Sequence, residues 1–119
     1  MTENVKQMLE AAGLDVTATL GRLGNQEAFY QKFLKMFLAD TNYEQLVLAC
    51  DAKDNEQMFK AAHTLKGLSA NLGLKDFNML CCQMVDLYRE NKFEEARDVL
   101  PSLTEKYQLA REAITKYLG

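Results

Sequence analysis

The chain has 119 residues, 48% hydrophobic and 26% charged, a profile that suits one globular domain with a core large enough to fold without disulfide staples. With 14 basic against 17 acidic side chains, a formal charge of -3 and no dense Lys/Arg cluster, it lacks the basic face that holds a nucleic acid. Its apolar runs are too short to span a bilayer, Met1-Thr2-Glu3-Asn4 lacks the basic start of a signal peptide, and Cys50, Cys81 and Cys82 form no disulfide framework, which together predict a cytoplasmic protein.

Residues 1–119 read as a single all-α domain, because Ala, Leu, Glu, Lys, Met and Gln dominate and no alternating Val/Ile/Thr run predicts a strand. A short amphipathic helix from about Glu3 stops at Gly13. A second runs from the N-cap Asp15 to Gly24, and Asn25 is expected to cap a third that begins at Gln26. The cluster Asp40-Thr41-Asn42 should break that helix before it resumes through Tyr43 to about Ala52. Asp54 or Asn55 caps the next, over about 55–72, which ends near Gly73; another runs from Asp76 to near Asn91. The last spans Phe93 to Leu118, kinked or restarted at Pro101, whose ring removes a backbone donor. Four long stretches joined by short turns predict an antiparallel up-and-down four-helix bundle with short N-terminal helices.

Metal, nucleotide and nucleophile chemistry find little support. One histidine, no H-x-x-x-H, no C-x-x-C and no glycine-rich phosphate loop leave no metal site or nucleotide-binding motif. The helix over 55–72 carries a different signal. At about 100° per residue Met58, Ala62, Leu65, Ser69 and Leu72 form its core stripe. His63 lies roughly 120° from the centre of that stripe and should face solvent. Beside it stand Glu56, Phe59 and Lys60 toward the N-terminus, candidates for docking a partner, and Lys66, Gly67 and Ala70 toward the C-terminus. Gly67 sits in a helix interior, where glycine costs on the order of 1 kcal/mol relative to alanine. Gly67 and Ala70 would clear the surface for a partner or a phosphoryl group, and Lys66 brings a cation to the same space. Lys53, Lys60 and Lys66 make this segment locally basic.

The run Ala62-His63-Thr64-Leu65-Lys66-Gly67-Leu68-Ser69-Ala70-Asn71-Leu72-Gly73 resembles the signature of histidine-containing phosphotransfer (HPt) domains, His-x-x-Lys-Gly with a second glycine ten residues after the histidine. The lead-in, from Gly13-Leu14-Asp15-Val16 through Arg22-Leu23-Gly24-Asn25 to Phe29, Phe33 and Phe37, is similar to that family as well. The resemblance implies that His63 is the phosphoacceptor, that Lys66 stabilises the phosphoryl oxygens and that Gly67 gives clearance. It also implies a monomeric phosphoryl carrier in a two-component phosphorelay, with response-regulator receiver domains or a sensor histidine kinase as partners. The carrier would have no cofactor of its own, the magnesium ion belonging to the receiver. Two positions depart from the family pattern: Leu68 replaces a small residue after Lys-Gly, and Val85 stands where a Gln or Glu commonly bonds the imidazole, leaving either Gln83 or Asp86 for that task or a ring that is less constrained.

Two other readings compete. An interaction-only adaptor could use the same helical scaffold without phosphorylation, although intact His63, Lys66 and Gly67 argue against it. A hydrolase with His63 as general base lacks a nucleophile at suitable spacing, because Ser69 falls on the core stripe. Finally, the helix from Gln26 carries Phe29, Tyr30, Phe33, Leu34, Met36, Phe37 and Leu38 over an arc of roughly 200°, wider than bundle packing requires. Either the N-terminal helix, with Val5, Met8, Leu9 and Ala12, covers the excess, or part of it is left to a partner.

Overall fold

In the computed structural model, which describes residues 1–119, α1 (Glu3–Ala11), α2 (Val16–Arg22), α3 (Glu27–Ala39), α4 (Asn42–Asp51), α5 (Asn55–Leu72), α6 (Lys75–Arg89), α7 (Phe93–Asp98) and α8 (Leu100–Leu118) follow in order. No strand forms. The arms of the four-helix bundle are α3 with α4, α5, α6, and α7 with α8, and α5 lies between α4 and α6. The Asp40 carboxylate accepts the Asn42 N–H at 2.8 Å and so stabilises the break between α3 and α4. Pro101 falls in the first turn of α8, where its missing N–H breaks no intrahelical bond; it restarts the last arm.

One expected cap is corrected. Asn25 does not start α3: its backbone is left-handed (φ 59°), like that of Gly24 (φ 65°), and its N–H reaches back to the Leu20 carbonyl at 2.7 Å. It closes α2, and Gln26 occupies the N-cap of α3 with no side-chain bond. An extended N-cap and a left-handed turn residue are incompatible backbone states, and the reversal after α2 requires the second.

The core holds 26 buried apolar residues, to which α5 supplies Met58, Ala61, Ala62, Leu65 and Leu72, so its predicted stripe is buried, with Ala61 added. Helix α1 buries Leu9 and packs mainly on α8, with Val5, Met8 and Ala12 half-buried at the core edge. It therefore leaves part of the broad α3 arc uncovered: Phe29 is 47% exposed and Met36 58%. No helix is long and apolar enough to cross a membrane.

Both ends of α5 are secured. Asp54 accepts the Gln57 N–H at 3.1 Å at the start, and Arg97 of α7 donates to the Asn55 side chain at 2.6 Å. At the other end Gly73 is left-handed (φ 69°), and the Arg22 guanidinium donates to the Ala70 and Asn71 carbonyls at 3.3 and 3.1 Å. The Ala70 carbonyl otherwise has only the Gly73 N–H at 3.3 Å and the Asn71 carbonyl no backbone donor, and a cation there also opposes the helix dipole. The chain after α1 adds an isolated antiparallel bridge, Leu14 to Leu74, with the Asp15 N–H on the Gly73 carbonyl at 2.7 Å.

Candidate functional site

The middle of α5 is a continuous helical segment held at both ends, so the direction of each side chain follows from its register. His63 is exposed, opposite the buried stripe. Its imidazole forms no hydrogen bond with Gln83 or Asp86, both of which project into solvent from α6. Val85 is fully buried in the core and does not face it. The ring instead lies beside Phe59, one turn earlier, with centroids 5.5 Å apart and planes inclined at 45°.

Lys66, three residues on, is half-buried, and no carboxylate lies within ion-pair distance of its ammonium. Its backbone is held in place: the Lys66 carbonyl accepts the Asn78 amide at 2.8 Å and the Ser69 hydroxyl at 3.1 Å, and Asn78 also donates to Ser69 Oγ at 3.1 Å. Ser69 is thereby buried and satisfied, far from serving as a nucleophile for His63, which leaves the hydrolase reading without its key group. Cys81 and Cys50 offer no substitute, since burial pushes the Cys81 thiol up to about 12 and raises Cys50 as well.

Gly67 and Ala70 are exposed on the same side as His63. A Cβ built on Gly67 meets nothing within 4 Å, so the fold itself does not require a glycine there. Helical side chains lean toward the N-terminus, over the turn that precedes them, so a larger residue at 67 would cover the imidazole. Of the proposed docking residues, Lys60 and Glu56 are exposed and pair with each other at 3.4 Å. Phe59 is half-buried, and its ring stacks on Tyr88 of α6 at 4.5 Å and 20°. The structure thus brings His63, Phe59, Lys66, Gly67 and Ala70 onto one surface, with Lys60 and Glu56 at its N-terminal margin.

Four residues and one groove escaped the sequence reading. Tyr88, Arg89 and Phe93 build an aromatic and cationic wall behind Phe59, and Asn78 fixes the Lys66 carbonyl. The only hint was a polar Asn78 among the apolar positions of α6. Beside the cleared flank, Arg22, Leu23, Phe33, Met36, Leu68 and Asn71 line a mostly apolar groove of about 370 Å³. Leu68, the larger residue after Lys-Gly, forms part of its wall. No group of three or more His, Cys, Asp or Glu side chains lies close enough to share a metal ion.

No curated protein matches the chain. Among solved structures, histidine-containing phosphotransfer protein B (HptB) from Pseudomonas aeruginosa PAO1 is similar, with 20% identity, a TM-score of 0.79, and coverage of 89% of this chain and 94% of that one. The likeness is one of fold. The family model described as "Hpt domain" matches residues 32–113, well over half of the chain, including all of α5 and α6 with the histidine and its neighbours. The chain therefore belongs to the Hpt domain family.

Proposed function

We propose that this protein is a phosphorelay intermediate in which His63 accepts a phosphoryl group from the phosphoaspartate of a receiver domain, or from a sensor kinase, and passes it to another receiver. The observation that carries this reading is the combination of a solvent-facing imidazole, an unpaired ammonium one turn away and open space over Gly67 on a rigid helix. In-line phosphoryl transfer asks for this set: a nucleophile that can be approached, charge to meet the phosphoryl oxygens, and no obstruction along the line.

A ring nitrogen with a free lone pair attacks phosphorus, the acyl-phosphate P–O bond breaks and the aspartate carboxylate leaves. The ring sheds its extra charge as a proton to solvent. Lys66 Nζ attracts the phosphoryl oxygens as negative charge concentrates on them, which favours the transition state over the docked ground state. The reverse step delivers the group to the next receiver. In this reading magnesium belongs to the receiver, and the counter-charge from this chain is the lysine.

The experiment is incubation of the wild type and His63→Gln with a panel of phosphorylated receiver domains, reading label transfer and its acid lability. Wild type takes acid-labile label and His63→Gln takes none, with unchanged thermal stability, because the imidazole lies outside the core. Acid-labile label on the variant would place the acceptor elsewhere. Tight receiver binding with no transfer to the wild type would instead favour the adaptor reading.

A further inference from the structure

His63 has the accessibility a phosphoacceptor needs but no hydrogen bond to aim it. Val85 is buried, and neither of the exposed side chains Gln83 and Asp86 bonds to the ring. An exposed imidazole on a helix samples several χ1 and χ2 states unless something removes them, and transfer proceeds only from those that present a ring nitrogen along the line of attack.

In a helix χ1 near +60° is closed by the preceding turn, and the remaining rotamers lean the ring back over positions i−3 and i−4, Lys60 and Phe59. The imidazole lies against Phe59. That phenyl ring is not a loose surface group. One face stacks on Tyr88 at 4.5 Å with planes 20° apart, the Arg89 guanidinium carbon lies 5.8 Å from its centroid, and Tyr88 is backed in turn by Phe93 at 5.2 Å. Three helices, α5, α6 and α7, thus converge on an aromatic wall, and its Phe59 end meets the imidazole at 5.5 Å.

We propose that Phe59, held by Tyr88, is the positioning residue for His63. It confines the imidazole by aromatic contact and does the work that a hydrogen bond from α6 would otherwise do. Aromatic pairs at such separations have preferred relative orientations, so the wall limits rotation about χ2 as well as χ1. A flat, braced ring on one side and the empty surface of Gly67 on the other leave one nitrogen turned outward. The proposal rests on His63 being the phosphoacceptor and adds what aims it.

Because His63 is the only histidine, its ring protons are read individually by proton NMR. In the wild type the Phe59 ring current displaces them. Phe59→Leu should return them toward the values of a free imidazole, and Phe59→Tyr should retain the displacement. Treatment with phosphoramidate supplies a chemical donor: imidazole nitrogen bonds to phosphorus, the donor P–N bond breaks and ammonia leaves. Phosphorus NMR then distinguishes the two phosphoimidazole isomers. Wild type and Phe59→Tyr should give one isomer and Phe59→Leu a mixture. Single-turnover transfer at a saturating phosphorylated receiver, where a loss of docking by Phe59 does not enter the rate, should fall about tenfold in Phe59→Leu and recover in Phe59→Tyr.

Tyr88→Leu, which leaves Phe59 in place but unbraced, should show the same changes to a smaller degree. It replaces Phe59→Leu if that variant fails to fold. Wild-type ring shifts, a single isomer and an undiminished rate in the leucine variants would overturn the positioning role alone. A wild type that takes phosphate from neither phosphoramidate nor receivers would overturn the phosphoacceptor reading, and this proposal with it.

Discussion

Replacing Gly67 with leucine separates the needs of the helix from those of a partner. The position lies mid-helix, is exposed, and offers a new Cβ no neighbour within 4 Å, so nothing in the fold opposes a side chain there. Helix propensity then decides the stability, and leaving glycine gains about 0.5–1 kcal/mol. For a chain of this length that raises Tm by about 2–5 °C, readable in a thermal melt followed by circular dichroism. The added isobutyl group leans back over the turn that carries His63 and stands in the path of an incoming phosphoryl group. Reacting atoms must approach to about 3–3.5 Å, and a displacement of about 1 Å already costs on the order of a hundredfold, so transfer should fall by about a hundredfold or more. Gly67→Ala, with one carbon in place of four, should show the stability gain with a smaller loss of transfer. The assay is single-turnover transfer from a phosphorylated receiver, run beside the melts. A leucine variant that melts higher yet transfers at the wild-type rate would refute the steric role of Gly67. One that melts lower would refute the claim that the space above it is empty.

Lys66→Ala should lower the single-turnover rate at saturating receiver while changing affinity little, whereas Lys60→Ala, which breaks the Glu56 pair at the margin, should chiefly alter association rate and its salt dependence; equal rates for Lys66→Ala and wild type would reduce Lys66 to a docking charge. Gly73→Ala should destabilise by about 2 kcal/mol or more, since the left-handed backbone (φ 69°) and a Cβ pressed against Thr19 Oγ1 and the Asp15 carbonyl oppose it together; a denaturant midpoint equal to wild type would contradict that. Cys81, buried and with its thiol pushed up to about 12, should resist alkylation at pH 8 until the chain unfolds, and prompt labelling of Cys81 in the native state, located by mass spectrometry, would show the core open there.

Some of this could be read from residue order and some could not, and the dividing line is physical. Asp54, Gly73 and Pro101 act on the backbone within a few residues of themselves, so the bounds of α5 and the restart before α8 were legible. The exposure of His63 followed from register alone. Asn25 misled because the same residue type serves as an N-cap and as a left-handed turn residue, and the choice belongs to the chain reversal after α2. The bracing of Phe59 by Tyr88, and of the Lys66 carbonyl by Asn78, depends on how far α6 is rotated and shifted against α5. Periodicity gives the face of each helix and not that offset. Likewise the apolar arc of α3 announced an excess, but its uncovered part became known only once α1 was seen to rest mainly on α8.

The tie between α2 and the end of α5 sets an order of opening. Arg22 and Ala70 are 48 positions apart, and closing such a loop costs about 3 kcal/mol of chain entropy, against the much smaller cost of folding α5 onto α6 across the turn at Gly73. The N-terminal segment therefore docks onto a hairpin already able to form, and in hydrogen exchange the amide of Asp15 should become free before the central amides of α5. When the clasp opens, the last turn of α5 loses the guanidinium on its carbonyls and the bridge at Gly73. The helix then frays from its C-terminal end toward Gly67 and Lys66. His63, more than two turns from that end, stays in a formed helix, so a local opening disturbs the cation that meets the phosphoryl group before it disturbs the nucleophile.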